Sequence, residues 1–133
     1  MLNGCIGGLV AITAEPLMPS PLASILIGAV GGVIVVYGTK LLFSLKIDDV
    51  VGAIPAHLFA GIWGTLAVPI TNSGASFGTQ LLGVVAVNAF VFIVSFIIWA
   101  LMKNTFGIRL SKEGETKGTD VTETGVIAYA IRD

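Results

Sequence analysis

Residues 16–39 and 50–102 contain no Asp, Glu, Lys or Arg. Charge-free apolar runs of this length leave few folds open. Roughly 20 helical residues cross a bilayer core about 30 Å thick, and a long helix apolar all round has no place on the surface of a water-soluble protein. Whole-chain composition agrees, with 55% of the 133 residues hydrophobic and 11% charged, against about 25% charged in a soluble domain. Ten of the fifteen charges fall in residues 103–133, which reads as a hydrophilic tail. The expected fold is all-α, a polytopic transmembrane helix bundle.

Four spans are expected, at about 2–17, 21–45, 50–70 and 79–102, in a membrane region 1–110 followed by a tail 111–133. The prolines of EPLMPSP (15–21) break the first from the second. LKIDD (45–49) makes a polar turn, where Asp48 and Asp49 suit the N-terminus of the next helix as caps. TNSGASFGT (71–79) reads as a short loop. Lys40 and Lys46 flank the second connector, and Lys103, Arg109, Lys112 and Lys117 follow the last span, while the other two loops carry neither Lys nor Arg. By the positive-inside rule the 45–49 turn and the C-terminus face the cytoplasm.

Several function classes drop out. A net charge of −1 offers no basic patch for nucleic acid. The single Cys5 cannot form an intrachain disulfide. No nucleophile–base pair, phosphate-binding loop or metal-ligand spacing is present, so no catalysis, metal or cofactor is expected. The chemistry that remains centres on His57, the only histidine, within the third span. On a helix, Ala53 and Gly61 share its face, so the imidazole stands on a stripe with little side-chain bulk. Gly52, Ala56, Ala60 and Gly64 place a small residue at every fourth position, and Gly28 and Gly32 repeat the spacing, the pattern of closely packed membrane helices. Pro55 removes a backbone donor and leaves the carbonyl four residues back, at Val51, in need of another partner. Trp63 reads as a wedge packed into the bundle, Trp99 as an interfacial belt residue, and Asn88 with Ser95 as one contact face. Two readings of His57 stand at this point. It can hydrogen-bond a neighbouring helix and serve packing, or line a polar path, where a neutral imidazole both donates and accepts.

The run IDDVVGAIPAHLFAGIWGTLAV (47–68), with its DD-x7-H-x3-G-x-W-G pattern, and NGCIGGLVAITA (3–14) resemble segments of the ammonium transporter family (Amt, Mep and Rhesus type), and residues 24–46 resemble the helix between them. The resemblance implies a homotrimer whose subunits each enclose a pore within about eleven helices, built from two inverted halves plus a final helix. It aligns this chain with the last four helices and the tail, a partial ammonium-transporter-like fold and a fragment of a longer transporter. It implies a stacked pair of pore histidines, His57 matching the second, that handles ammonium losing its proton before ammonia crosses a hydrophobic constriction. Ala53 and Gly61 would leave the lumen open, and Asp48, Asp49, Pro55 and Trp63 would be structural. A multi-pass protein of the cell membrane is expected.

KGTDVTETGVIAYAIRD (117–133) carries the GxD…TG…AY framework of that family's tail, which implies docking on neighbouring subunits and contact with a PII-type regulator. Thr124 stands where a histidine is common and Thr119 where an apolar residue is common. The competing readings are a non-conducting helical interaction module and a proton-relay subunit.

Overall fold

A computed structural model describes residues 2–15, 17 and 19–128; Pro16 of the proline-rich loop and Tyr129 of the tail framework lie outside the described residues. The regular structure is helical throughout, with no strand among the described residues. In chain order it comprises α1 (Leu2–Ile12), α2 (Pro21–Ser44), a π-helical turn (Ile54–Phe59) running into α3 (Ala60–Thr71), α4 (Phe77–Thr105), α5 (Lys112–Lys117) and a second π-helical turn (Asp120–Thr124). Three segments, Pro21–Ser44, Ile54–Thr71 and Phe77–Thr105, are long and apolar enough to cross a membrane, and Leu2–Ile12 is apolar but shorter.

The termini of these helices differ from the expected ones for local reasons. The first helix stops at Ile12 instead of reaching residue 17, and its 11 residues extend about 16 Å, half a bilayer core. Helix α2 starts where expected because the Ser20 hydroxyl accepts the Ala23 N–H and Pro21 occupies the first turn. It ends in a Schellman motif. Lys46 turns left-handed at φ 57°, its N–H donates to Phe43 O, and the Ile47 N–H donates to Leu42 O. The third span becomes helical only from Ile54, because Gly52 is also left-handed at φ 72°. Helix α4 is longer than expected at both ends.

By contact the chain divides into two compact units, Met1–Phe90 and Val91–Asp133. In the first unit, α1, α2 and α3 meet through glycine. A Cβ placed on Gly31 would sit 2.8 Å from Gly7 O, and one on Gly64 would sit 2.2 Å from Ala11 O. Such backbone approach is how helices gain dispersion energy where lipid removes the hydrophobic drive to associate. Small apolar clusters fill the crossings. Ala11, Ile27 and Ala67 pack with Ile12 and Trp63, and Val35, Ala56 and Ala60 pack with Val10. At the end of α3, the Asn72 amide donates to Glu15 Oε2 at 2.9 Å, and its oxygen accepts the Gly74 N–H.

In the second unit the Ser111 hydroxyl caps α5 through the Gly114 N–H, and the Thr122 hydroxyl donates to Gly114 O and Gly118 O. Arg109 forms a two-pronged ion pair with Glu115. That bond raises the Arg109 pKa and lowers that of Glu115. The Asp120 carboxylate accepts the Ala128 N–H at 2.8 Å, which chiefly accounts for its lowered pKa. The described part of the tail is thus folded locally through these hydrogen bonds.

Candidate functional site

The site is built from the turn that introduces His57. A helix start leaves its first N–H groups without intrahelical partners, and here each is accounted for. Asp49 Oδ1 accepts the Ala53 N–H and Oδ2 the Ile54 N–H, both at 2.9 Å. Pro55 has no N–H, and that of Ala56 donates to Gly52 O at 3.2 Å. Proline thus costs nothing at this position, because a first-turn N–H would need an outside acceptor anyway. The capping carboxylate is that of Asp49. Asp48 stands exposed in a depression of about 320 Å³ shared with Thr39, Phe43 and Lys46.

The Val51 carbonyl receives the Asn3 side-chain amide from α1 at 2.8 Å. No expectation from sequence included this bond. Its signal is an amide side chain inside an otherwise apolar helix, which needs a polar partner in lipid. Gly52 is required twice over, since its φ is 72° and a Cβ would sit 2.2 Å from Asn3 Nδ2.

Above this start the chain makes one wide turn. The Ala60 N–H reaches Pro55 O, five residues back, as well as His57 O. Single π-helical turns inside helices are frequent at functional sites. The turn buries Pro55 and Ala56 against α2, where Gly38 makes room for Pro55 and Phe59, and leaves His57 exposed. Among the described residues none hydrogen-bonds the imidazole.

His57 opens into a groove of about 350 Å³ lined by Leu58, Gly61, Ile62 and Thr65 and, from α4, by Gly83, Val84, Val87 and Asn88. Gly61 faces this groove, whereas Ala53 is exposed but lies outside its lining. The walls are apolar apart from Thr65 and Asn88. Thr65 Oγ1 donates to Gly61 O at 2.9 Å and Asn88 Nδ2 to Val84 O at 2.7 Å, so the Thr65 hydroxyl keeps only acceptor capacity, while the Asn88 amide keeps its oxygen and a second N–H. Trp63 is on the other side of the helix. Its Nε1 donates to Ile27 O on α2 at 3.0 Å, and its ring packs on the Ala11, Ile27 and Ala67 cluster. Ser95 lies in the second unit and Trp99 is exposed there.

A family model described as Ammonium Transporter Family matches residues 1–129. The chain belongs to the ammonium transporter family. Curated members similar to it include ammonium transporter Amt2 of Archaeoglobus fulgidus, 35% identical over 96% of this chain and 31% of that protein. A putative ammonium transporter of Synechocystis (sll1017) is 41% identical over 93% of this chain and 28% of its own length. Ammonium transporter Amt1 of Haloferax mediterranei is 36% identical over 97% and 26%. This family member spans about a third or less of the length of those relatives. It is a helical membrane protein.

Proposed function

We propose that this chain is the C-terminal portion of an ammonium/ammonia transporter and that His57 lines its conducting path. The observation that carries the reading is the placement of the imidazole. It stands exposed and without a hydrogen-bond partner among the described residues, on the side of its helix away from the packed small residues. A packing histidine would spend its N–H on a neighbouring helix, as Trp63 does.

In this reading the imidazole is half of a histidine pair, the other member coming from the remainder of the transporter. Moving a bare cation through hydrocarbon is costly, so the pair acts on ammonium as it gives up its proton and hydrogen-bonds the ammonia that passes. Gly61, in the lining of the groove, keeps space beside it. Residues 111–133 form a cytoplasmic tail, the complete protein is a trimer in the cell membrane, and a PII-type regulator meets it at the tail. Methylammonium uptake by the complete protein carrying His57→Ala tests the core of this. Uptake and selectivity against potassium that both match the parent would remove His57 from transport.

A further inference from the structure

We propose that Asn3 is a positioning residue for His57, acting through the backbone of Val51 and Gly52; this rests on the pore-lining reading of His57. The Val51 carbonyl has no helical donor within reach. The N–H groups of Ala53 and Ile54 go to Asp49, that of Ala56 goes to Gly52 O, and Pro55 has none. Its partner is the Asn3 amide at 2.8 Å. The same amide fills the space that a Cβ on Gly52 would take, 2.2 Å away, at the residue where the chain turns left-handed into the helix.

From that point to the imidazole there is little slack. Asp49 clamps two N–H groups, Gly52 O holds a third, and the ring of Pro55 fixes its own φ. Asn3 is itself on a rigid element. Helix α1 is locked to α2 at Gly7 and Gly31 and to α3 at Ala11 and Gly64. Asn3 thus ties the first turn of the histidine helix to the packed part of the bundle, and it stays clear of the groove that His57 faces.

The test compares Asn3→Leu, which keeps the branching and removes the donor, with Asn3→Gln, which keeps an amide, both in the complete transporter. Two quantities are read. The first is maximal methylammonium uptake per amount of protein in the membrane. The second is the imidazole NMR resonance of His57, assigned by its loss in His57→Ala. Asn3→Leu is expected to lower uptake about tenfold, in line with the steep cost of misplacing a working group, and to shift the His57 resonance. Asn3→Gln restores both. An unmoved resonance overturns the proposal even if uptake falls, because the loss then has a general structural origin. Unchanged uptake in Asn3→Leu, where His57→Ala lowers it, overturns it too. Unchanged uptake in His57→Ala removes the pore-lining reading instead, and a separate strain reports it. If Asn3→Leu does not accumulate, Asn3→Glu against Asn3→Gln repeats the comparison of a side chain without and with the donor.

Discussion

Gly64 and Gly61 lie on the same helix three residues apart, and the same change at each has opposite expected effects on stability. A Cβ at Gly64 would stand 2.2 Å from Ala11 O and 2.8 Å from both Ala11 C and Ala11 Cα. All three are backbone atoms, so no rotamer relieves the clash. Ordinary contact begins near 3.4 Å, and 3.4 − 2.2 leaves about 1.2 Å by which α1 and α3 must part. That displacement loosens Ala11 and Ala67, now 2% and 1% exposed, and strains the Trp63–Ile27 hydrogen bond. Overpacking of a rigid core costs about 1–3 kcal/mol, and the backbone origin of the clash puts Gly64→Ala at about 2–3 kcal/mol on that scale. At Gly61 the nearest atom to an added Cβ is Val10 Cγ1 at 3.8 Å. Ala is favoured over Gly in a helix by about 1 kcal/mol, so Gly61→Ala is neutral or stabilising. Reversible unfolding of the complete transporter in mixed micelles, followed by helical circular dichroism, measures both. A Gly64→Ala protein within about 0.5 kcal/mol of the parent would refute the close approach of α1 to α3, since neither rotamer change nor lipid can absorb it.

Asp49→Ala exposes two N–H groups at the start of the histidine helix and is expected to cost about 1–2 kcal/mol in the same unfolding assay; Asp48→Ala, at an exposed position, is expected to cost much less. Lys46 is held left-handed, where a non-glycine residue bears roughly 1–2 kcal/mol of strain, so Lys46→Gly raises stability. Gly52→Ala lowers it, because the new methyl group meets both the φ of 72° and the Asn3 amide. The Asp120 carboxylate has a lowered pKa in the folded tail, first from the Ala128 N–H and then from that of Val121. A depressed folded pKa means that this contribution is complete above the unfolded carboxylate range and is lost as pH falls through the folded value. Exchange of the Ala128 amide with deuterium, corrected for intrinsic chemistry, therefore loses protection in acid, and Asp120→Asn removes that pH dependence.

Much of this arrangement is written in residue types. The charge-free runs mark three long apolar helices, and the prolines and Asp49 mark where two of them begin. What is not legible comes from contacts between segments far apart in the chain. Asn3 and Val51 are 48 positions apart, and nothing local in either predicts their bond. Gly52 reads as part of a small-residue stripe, yet its structural demand is a left-handed turn that holds back the helix start to Ile54. The groove beside His57 draws Gly83, Val84, Val87 and Asn88 from the next helix, and the spacing of Asn88 and Ser95 marks a contact face without saying which helix it meets. Thr65 is an ordinary polar interruption in sequence, and Asn88 reads, with Ser95, only as the mark of a contact face. Only their hydrogen bonds show that the Thr65 hydroxyl and one N–H of the Asn88 amide are turned back on their own helices.

The small-residue stripe itself carries more information than a packing motif. An α-helix turns about 100° per residue, so residues four apart drift about 40° around the axis at each step. A strict four-residue spacing from Ala56 through Ala60 to Gly64 would therefore walk off a flat contact face. All three are nevertheless buried. The wide turn closed by the Ala60 N–H on Pro55 O takes up an extra residue, which offsets the drift where the stripe begins. His57 lies in that widened turn, between Ala56 and Ala60, both at 2% exposure or less. The same backbone feature that keeps the alanines against their neighbours directs the histidine away from them. Packing and exposure of the imidazole are then one property of the turn, and a change that converts it to regular α-helix must disturb both together.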